Sequence, residues 1–217
     1  MNNFVLYNYF RSSASYRVRI ALNLKQIKFD YKPVHLLNNG GEQHHPDYVR
    51  MNPSHDVPTL VHNGKAIGQS VAIIEYLDDV EAYSPLFPKD PYKRALIRQA
   101  CEIVNSGVQP LGNLRTLAEL TKRYGASEEQ KRDWSIHWID YGFRTLENFL
   151  VNHAGKFSFG DEPTAADCFV MAQLYAAERF NLSLEAYPTL KRIHETCSKI
   201  DAFINAHPDR QPDSPKK

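Results

Sequence analysis

Three short stretches in the first part of the chain carry residue types that can hold a small thiol-bearing peptide. Ser12-Ser13 reads as the start of a helix, where backbone N–H groups lack intrahelical acceptors and the helix dipole favours negative charge. A thiolate brought there is stabilised, just as cysteine thiolates are at helix starts. Val57-Pro58 opens a strand after the polar loop 52–56. A cis bond at that proline would turn the backbone of Val57 outward, ready to pair with an extended peptide. Gln69-Ser70 begins another helix, where the Ser70 hydroxyl and unpaired N–H groups can receive a carboxylate. Each stretch alone has a plainer reading, as a helix cap or an ordinary strand start. Together they describe one ligand: a peptide with a thiol, a backbone to be paired and a carboxylate at one end.

The elements that must place these residues follow from hydrophobic periodicity. Residues 4–9 are aromatic and β-prone, and read as a buried strand. The helix from Ser12-Ser13 carries Ala14, Val18, Ala21 and Leu22 on one face. Residues 29–36 form a second strand, with Pro33 tolerable at a sheet edge. After a turn-rich loop at 38–41 and a short helical or irregular stretch near 48–51, residues 58–62 read as a third strand. Asn63-Gly64 is a hairpin signal before a fourth strand at 65–68. A helix from Ser70 then buries Ile73, Ile74 and Leu77. A βαβ unit followed by ββα is the thioredoxin-like plan, here without the Cys-x-x-Cys of redox-active thioredoxins.

Pro85, Pro88 and Pro91 break the pattern. The expected organisation is an α/β thioredoxin-like domain at 1–82, a linker at 83–91 and an all-α domain at 92–217. Ile139, Phe143, Leu146 and Leu150 repeat one helical face, as do Val170, Leu174 and Ala177. Thr164 and Asp167 have the spacing of a capping box. The tail at 207–217, rich in proline and charge, is expected to lie on the surface without forming an element.

The chain has 217 residues, 42% hydrophobic and 24% charged, enough for a sizeable core. Its 26 basic and 25 acidic residues nearly balance, which argues against a nucleic-acid-binding protein; the Lys216-Lys217 pair is too short to count. Cys101, Cys168 and Cys197 offer no disulfide framework and are expected to be buried thiols in a reducing compartment. The opening Met1-Asn2-Asn3-Phe4 has no secretory pattern. No apolar run approaches the roughly 20 residues needed to span a bilayer, so the expected location is the cytoplasm, with no membrane partner. His44-His45 are adjacent and point apart in regular structure, so no metal site is expected.

The run Ser12-Ser13-Ala14-Ser15-Tyr16-Arg17-Val18-Arg19-Ile20-Ala21-Leu22 closely resembles the signature of zeta-class glutathione transferases, the maleylacetoacetate isomerases. Asn52-Pro53, Val57-Pro58-Thr59-Leu60 and the stretch from Gln69 to Leu77 extend the likeness. So do Val108-Gln109-Pro110-Leu111, Ala177-Glu178-Arg179-Phe180 and the tail from His207 to Asp213. It spans nearly the whole chain.

The resemblance implies that glutathione is the cofactor and that Ser12 contacts its sulfur, with Ser13 and the helix start around it. Gln43 would reach the tripeptide, Val57 ahead of a cis Pro58 would pair with its cysteinyl backbone, and Gln69 with Ser70 would hold the γ-glutamyl end. Gln109, Asn113 and Arg115 would line the helical domain's side of the cleft. Arg179, expected to be buried with a partner, resembles the family's substrate-carboxylate arginine, and Arg11 is a second candidate; a structural salt bridge is the plainer role for Arg179. The implied substrate is a small dicarboxylate-like molecule and the implied assembly a homodimer. The implied reaction is cis–trans isomerisation of maleylacetoacetate in tyrosine and phenylalanine breakdown. Alternatives are maleylpyruvate isomerisation, general glutathione transfer or peroxide reduction, and a non-catalytic binding module on the same fold. Where the family pattern has a cysteine after the two serines, this chain has Ala14. Alanine cannot donate a hydrogen bond or form a mixed disulfide, which removes covalent-cysteine chemistry and leaves routes that need only the thiol of glutathione.

Overall fold

The computed structural model describes residues 3–216; Met1, Asn2 and Lys217, at the two terminal stretches read above, lie outside the described residues. Strand β1 (Phe4–Asn8) buries Phe4, Leu6 and Asn8 and half-buries the alternate residues. Helix α1 (Ser13–Leu24) carries the chain over to β2 (Phe29–Pro33), which runs parallel to β1 with Phe4 opposite Phe29. Short helix α2 (Pro46–Met51) precedes β3 (Thr59–His62), antiparallel to β1 with Leu6 opposite Leu60. Hairpin residues Asn63 and Gly64 have φ of 50° and 75°, both in the left-handed region that tight hairpin turns require. Strand β4 (Lys65–Gly68) follows, then α3 (Ser70–Val80). The sheet order is β2-β1-β3-β4, the thioredoxin-like order. Strand β2 stops at Pro33 rather than residue 36, because its neighbour β1 ends at Asn8 and turns into the loop before α1.

The chain forms two compact units, Met1–Phe87 with Lys199–Lys217, and Pro88–Ser198. This differs from the expected division, in which everything after residue 91 belonged to the helical domain. Helix α4 (Pro91–Asn105) starts the second unit, followed by α5 (Leu114–Tyr124), α6 (Glu128–Leu150), α7 (Ala165–Glu178) and α8 (Pro188–Cys197). The expected faces are buried: Ile139, Phe143, Leu146 and Leu150 on α6, and Val170, Leu174 and Ala177 on α7. Asp167, fully buried, accepts from the N–H of Thr164 at 2.7 Å and of Ser158 at 2.8 Å, which fixes the start of α7.

Helix α9 (Asp201–Ala206) returns the chain to the first unit, where it packs on α1. A 3-10 turn at Pro208–Arg210 follows. The tail therefore does form structure, against the expectation, because its hydrogen-bond partners lie in β2 and in the loop that follows β1. With the sheet, α3 and α9 around it, α1 is buried without a break from Ser15 to Leu22, including Arg17 and Arg19. Its expected single apolar face is thus too narrow, and Ala14 is only half-buried. At the far end of α1, Lys25 Nζ donates to Asp78 at 2.8 Å and to the carbonyl of Tyr83 at 3.1 Å. Asp78 also accepts from the N–H groups of Leu86 and Phe87, which ties the segment after α3 to the first unit. Among the described residues no helix is long and apolar enough to cross a membrane.

Candidate active site

Strand register brings the expected residues of the first unit to one end of the sheet. Tyr7 of β1 lies opposite Thr59 of β3, Thr59 lies opposite Gly68 of β4, and Asn8 lies opposite Pro33 of β2. Just beyond these positions come Ser12, Val57 with Pro58, and Gln69 with Ser70. Neighbouring strands are about 4.8 Å apart, so these three loops start within a span suited to a tripeptide.

Ser12 is the N-cap of α1. Its Oγ accepts from the N–H of Ser15 at 3.2 Å, so one lone pair is occupied while the hydroxyl proton can be given to a ligand. Ser13 opens the helix, and its N–H belongs to the first turn that lacks intrahelical acceptors. Both serines are half-buried, and Arg11 beside them is exposed. Ser12 N–H closes a turn onto the carbonyl of Tyr9 at 3.0 Å. Behind that turn, the buried Arg19 guanidinium donates to the carbonyl of Phe10 at 2.9 Å and to Asn8 Oδ1 at 3.0 Å.

The Val57–Pro58 bond is cis, as the sequence suggested. The ladders of β3 begin at Thr59, so the backbone of Val57 lies outside them. A polar knot holds the approach. Tyr48 Oη donates to the carbonyl of Asp56 at 2.6 Å, and Asn52 Nδ2 donates to the same oxygen and to Thr59 Oγ1, both at 2.9 Å. Burial pushes the Tyr48 phenol up from its ordinary pKa, which keeps it a donor.

Gln43 sits in a 3-10 turn, Glu42–His44. Its Nε2 donates to the carbonyl of Leu36 at 3.4 Å, while its buried Oε1 has no hydrogen-bond partner. An acceptor buried without a donor is costly, and a peptide N–H is what it lacks. Gly41 makes the placement possible: its φ is +99°, and a Cβ there would meet Gln43 Nε2 at 2.5 Å. Ser70 is 3% exposed, and its Oγ accepts from Nη1 of the fully buried Arg17 at 3.1 Å. With that lone pair taken by a cation, the Ser70 proton points elsewhere. Gln69, exposed, caps α3 with φ of 67° and no side-chain cap bond. A side-chain-bearing residue held in the left-handed region is strained, and the strain leaves the first N–H groups of α3 uncapped by its side chain.

Arg17 was missed by sequence reasoning. Its signal was available, a charged residue flanked by apolar ones at Tyr16 and Val18 on a helix start that carries no acidic partner.

In the second unit, Gln109 opens a 3-10 turn, Gln109–Gly112, and is half-buried. The turn is pinned by Trp134 Nε1, which donates to the carbonyl of Leu111 at 2.9 Å, and by Thr116 Oγ1 on the carbonyl of Pro110 at 2.7 Å. Asn113 caps α5, accepting from Arg115 N–H at 3.2 Å. Arg115 is exposed in the first turn of α5, where the dipole disfavours a cation; its charge adds nothing to the helix. Arg179 is also exposed, which corrects the expectation of a buried arginine. Helix α7 ends at Glu178, so Arg179 is its C-cap and leaves the apolar face, with its guanidinium 5.9 Å from the Phe180 ring.

His44 and His45 are exposed, and His44 Nδ1 lies 3.0 Å from His55 Nδ1. Among the described residues no three His, Cys, Asp or Glu side chains come together as a metal site would require.

A thioredoxin-like unit with a serine at its first helix start and a cis-proline strand, continuous with an all-helical unit, is the plan of glutathione-using transferases. The chain matches the glutathione S-transferase N-terminal domain over residues 11–80 and the C-terminal domain over 117–206. It is 44% identical over 213 residues to the maleylacetoacetate isomerase of Dictyostelium discoideum, covering 98% of this chain and 97% of that protein. Among solved structures, a bacterial zeta-class maleylpyruvate isomerase in its holo form superposes with a TM-score of 0.93 at 38% identity, covering 97% of this chain and all 100% of that one. The maleylacetoacetate isomerase of Methylobacterium extorquens AM1, solved with malonate and glutathione bound, gives a TM-score of 0.92 at 36% identity, covering 98% and 100%. The chain belongs to the glutathione S-transferase family, in its zeta class.

Proposed function

We propose that this protein is a glutathione-dependent cis–trans isomerase that converts maleylacetoacetate to fumarylacetoacetate in tyrosine and phenylalanine breakdown. The observation that carries the reading is the register that ends β1, β3 and β4 side by side, just short of Ser12, Val57 and Ser70. These residues fit glutathione by their chemistry. The unpartnered Gln43 Oε1 suits a peptide N–H, and the backbone of Val57, outside its strand's ladders, suits the cysteinyl peptide group. The α3 start with Gln69 and Ser70 suits the γ-glutamyl carboxylate.

When bound, glutathione supplies a thiolate that adds reversibly to the cis double bond, so that rotation and elimination return the trans alkene. Ser12 donates its hydroxyl proton to the sulfur, and the N–H groups at the start of α1, Ser13 included, favour the negative charge. Arg179 and Arg11 are the candidates for taking a carboxylate of the acid substrate. Gln109, Asn113 and Arg115 are assigned to glutathione by the family likeness. The similarity to a maleylpyruvate isomerase favours that shorter acid as a second substrate. We assign the protein to the cytoplasm as a homodimer.

The test is one assay of maleylacetoacetate and maleylpyruvate conversion, each with and without glutathione. Conversion of maleylacetoacetate only in the presence of glutathione is the expected result. Conversion in its absence, or of neither acid, overturns the assignment.

A further inference from the structure

The loop that presents Ser12 is held by the far end of the chain. Residues Tyr9 to Ser12 form a turn closed by Ser12 N–H on the carbonyl of Tyr9 at 3.0 Å, so the N–H of Phe10 faces outward from it and needs an acceptor of its own. That acceptor is Asp213, 203 residues away, whose Oδ2 takes the Phe10 N–H at 3.0 Å. Its other oxygen, Oδ1, accepts a hydrogen bond from Tyr31 Oη on β2. The carbonyl of the same Phe10 is taken by Arg19 at 2.9 Å, and Arg19 Nε holds the carbonyl of Ala206 at 3.0 Å, at the end of α9. Asn23 adds a bond to the carbonyl of Ala202 at 3.0 Å. A carboxylate thus grips one side of the turn and a guanidinium the other, two residues before Ser12.

We propose that Asp213 is a positioning residue for the thiol end of the glutathione site, fixing the 9–12 turn so that Ser12 Oγ meets the sulfur. The inference rests on the reading that Ser12 contacts that sulfur. Both partners suit a permanent clamp. Burial, with Asp213 beside it, pushes the Tyr31 phenol well above its usual range, so it stays a donor. Charge-assisted bonds of this kind are short and directional, and catalytic geometry is sensitive to displacements of about 1 Å. A tail that only covered apolar surface would not need an acid aimed at one backbone N–H.

The test uses the full chain with Asp213→Ala, Asp213→Asn, Tyr31→Phe and, beside them, Ser12→Ala. The readouts are the pKa of the bound glutathione thiol, followed by ultraviolet thiolate absorbance, kcat with the acid substrate, and the Kd of S-methylglutathione, which has no thiol to ionise. Asp213→Ala should raise the thiol pKa toward that of free glutathione and lower kcat about tenfold, with the S-methylglutathione Kd unchanged. Asp213→Asn, which keeps an acceptor for Phe10, should recover part of the loss, and Tyr31→Phe should show a smaller shift the same way. If Asp213→Ala fails to fold by circular dichroism, the Asn and Phe variants decide. Wild-type thiol titration and kcat in the Asp213 and Tyr31 variants, while Ser12→Ala shifts both, overturns the inference and leaves the site reading standing. Loss of S-methylglutathione binding in step with kcat also overturns it, since that is general collapse of the site. No shift in any variant, Ser12→Ala included, overturns both.

Discussion

Hydrogen-bond directions at the single-residue scale decide what each site group can offer a ligand. Ser12 and Ser70 each receive a bond on Oγ, from Ser15 N–H and from the Arg17 guanidinium, and so each is prepared to act as a donor. Arg17 is the stronger case, because a buried cation behind Ser70 also favours a carboxylate in front of it. Replacing it by methionine, which keeps the bulk and removes the donor, should weaken glutathione binding about tenfold, read by calorimetry; unchanged affinity would remove Arg17 from the account. Arg179, by contrast, is exposed at the C-terminus of α7. Arg179→Ala should raise KM for the acid substrate about tenfold or more while the glutathione Kd holds. Equal loss of both would count against a substrate role.

The element scale shows which parts of the sequence carry their structure locally. The β-prone run of β1, the Asn63-Gly64 turn and the Ser70 helix start are all legible because their signals lie within a few residues. The cis proline was implied by the family likeness, since the pattern beside the polar loop left both isomers open. Four features were not, for one reason: their partners are distant in sequence. The burial of Arg17 and Arg19 depends on Ser70 and Ala206, the end of β2 depends on β1, and the structured tail depends on Phe10 and Tyr31. Arg179 was misplaced because periodicity marks a helix face better than a helix end. Local devices also give local predictions. At Gly41 a side chain would be strained at φ +99° and would collide with the Gln43 amide, so Gly41→Ala should destabilise the protein by about 1 kcal/mol or more. It should also lower glutathione affinity, and a variant that binds normally would show that Gln43 is not needed. At the other end of α1, Lys25→Met would leave Asp78 buried beside an apolar chain. Breaking such a pair costs about 3–5 kcal/mol. Thermal denaturation should therefore show a markedly lower Tm, and an unchanged one would contradict the structural role of the Lys25–Asp78 pair.

Across the whole molecule, the chain leaves its first unit at Phe87 and comes back at Lys199. The returning segment is what Arg19, Asn23 and Phe10 hold, so it packs with the thioredoxin-like unit although it lies far from it in sequence. Cys101, Cys168 and Cys197 are buried, and burial pushes the Cys168 and Cys197 thiols up. Native protein should therefore react with a thiol reagent only at the rate at which it opens, and three thiols should become available on unfolding. Rapid labelling of the folded protein would contradict that picture. With Ala14 where a cysteine stands in the family pattern, the only thiol left for chemistry is the one that glutathione brings. Activity therefore depends on the start of α1 ionising that thiol. The direct measurement is a thiolate titration of glutathione bound to the wild-type protein and to Ser12→Ala. A bound thiol pKa below that of free glutathione, rising toward it in the variant, is the predicted result. Identical titrations in the two proteins would contradict the account.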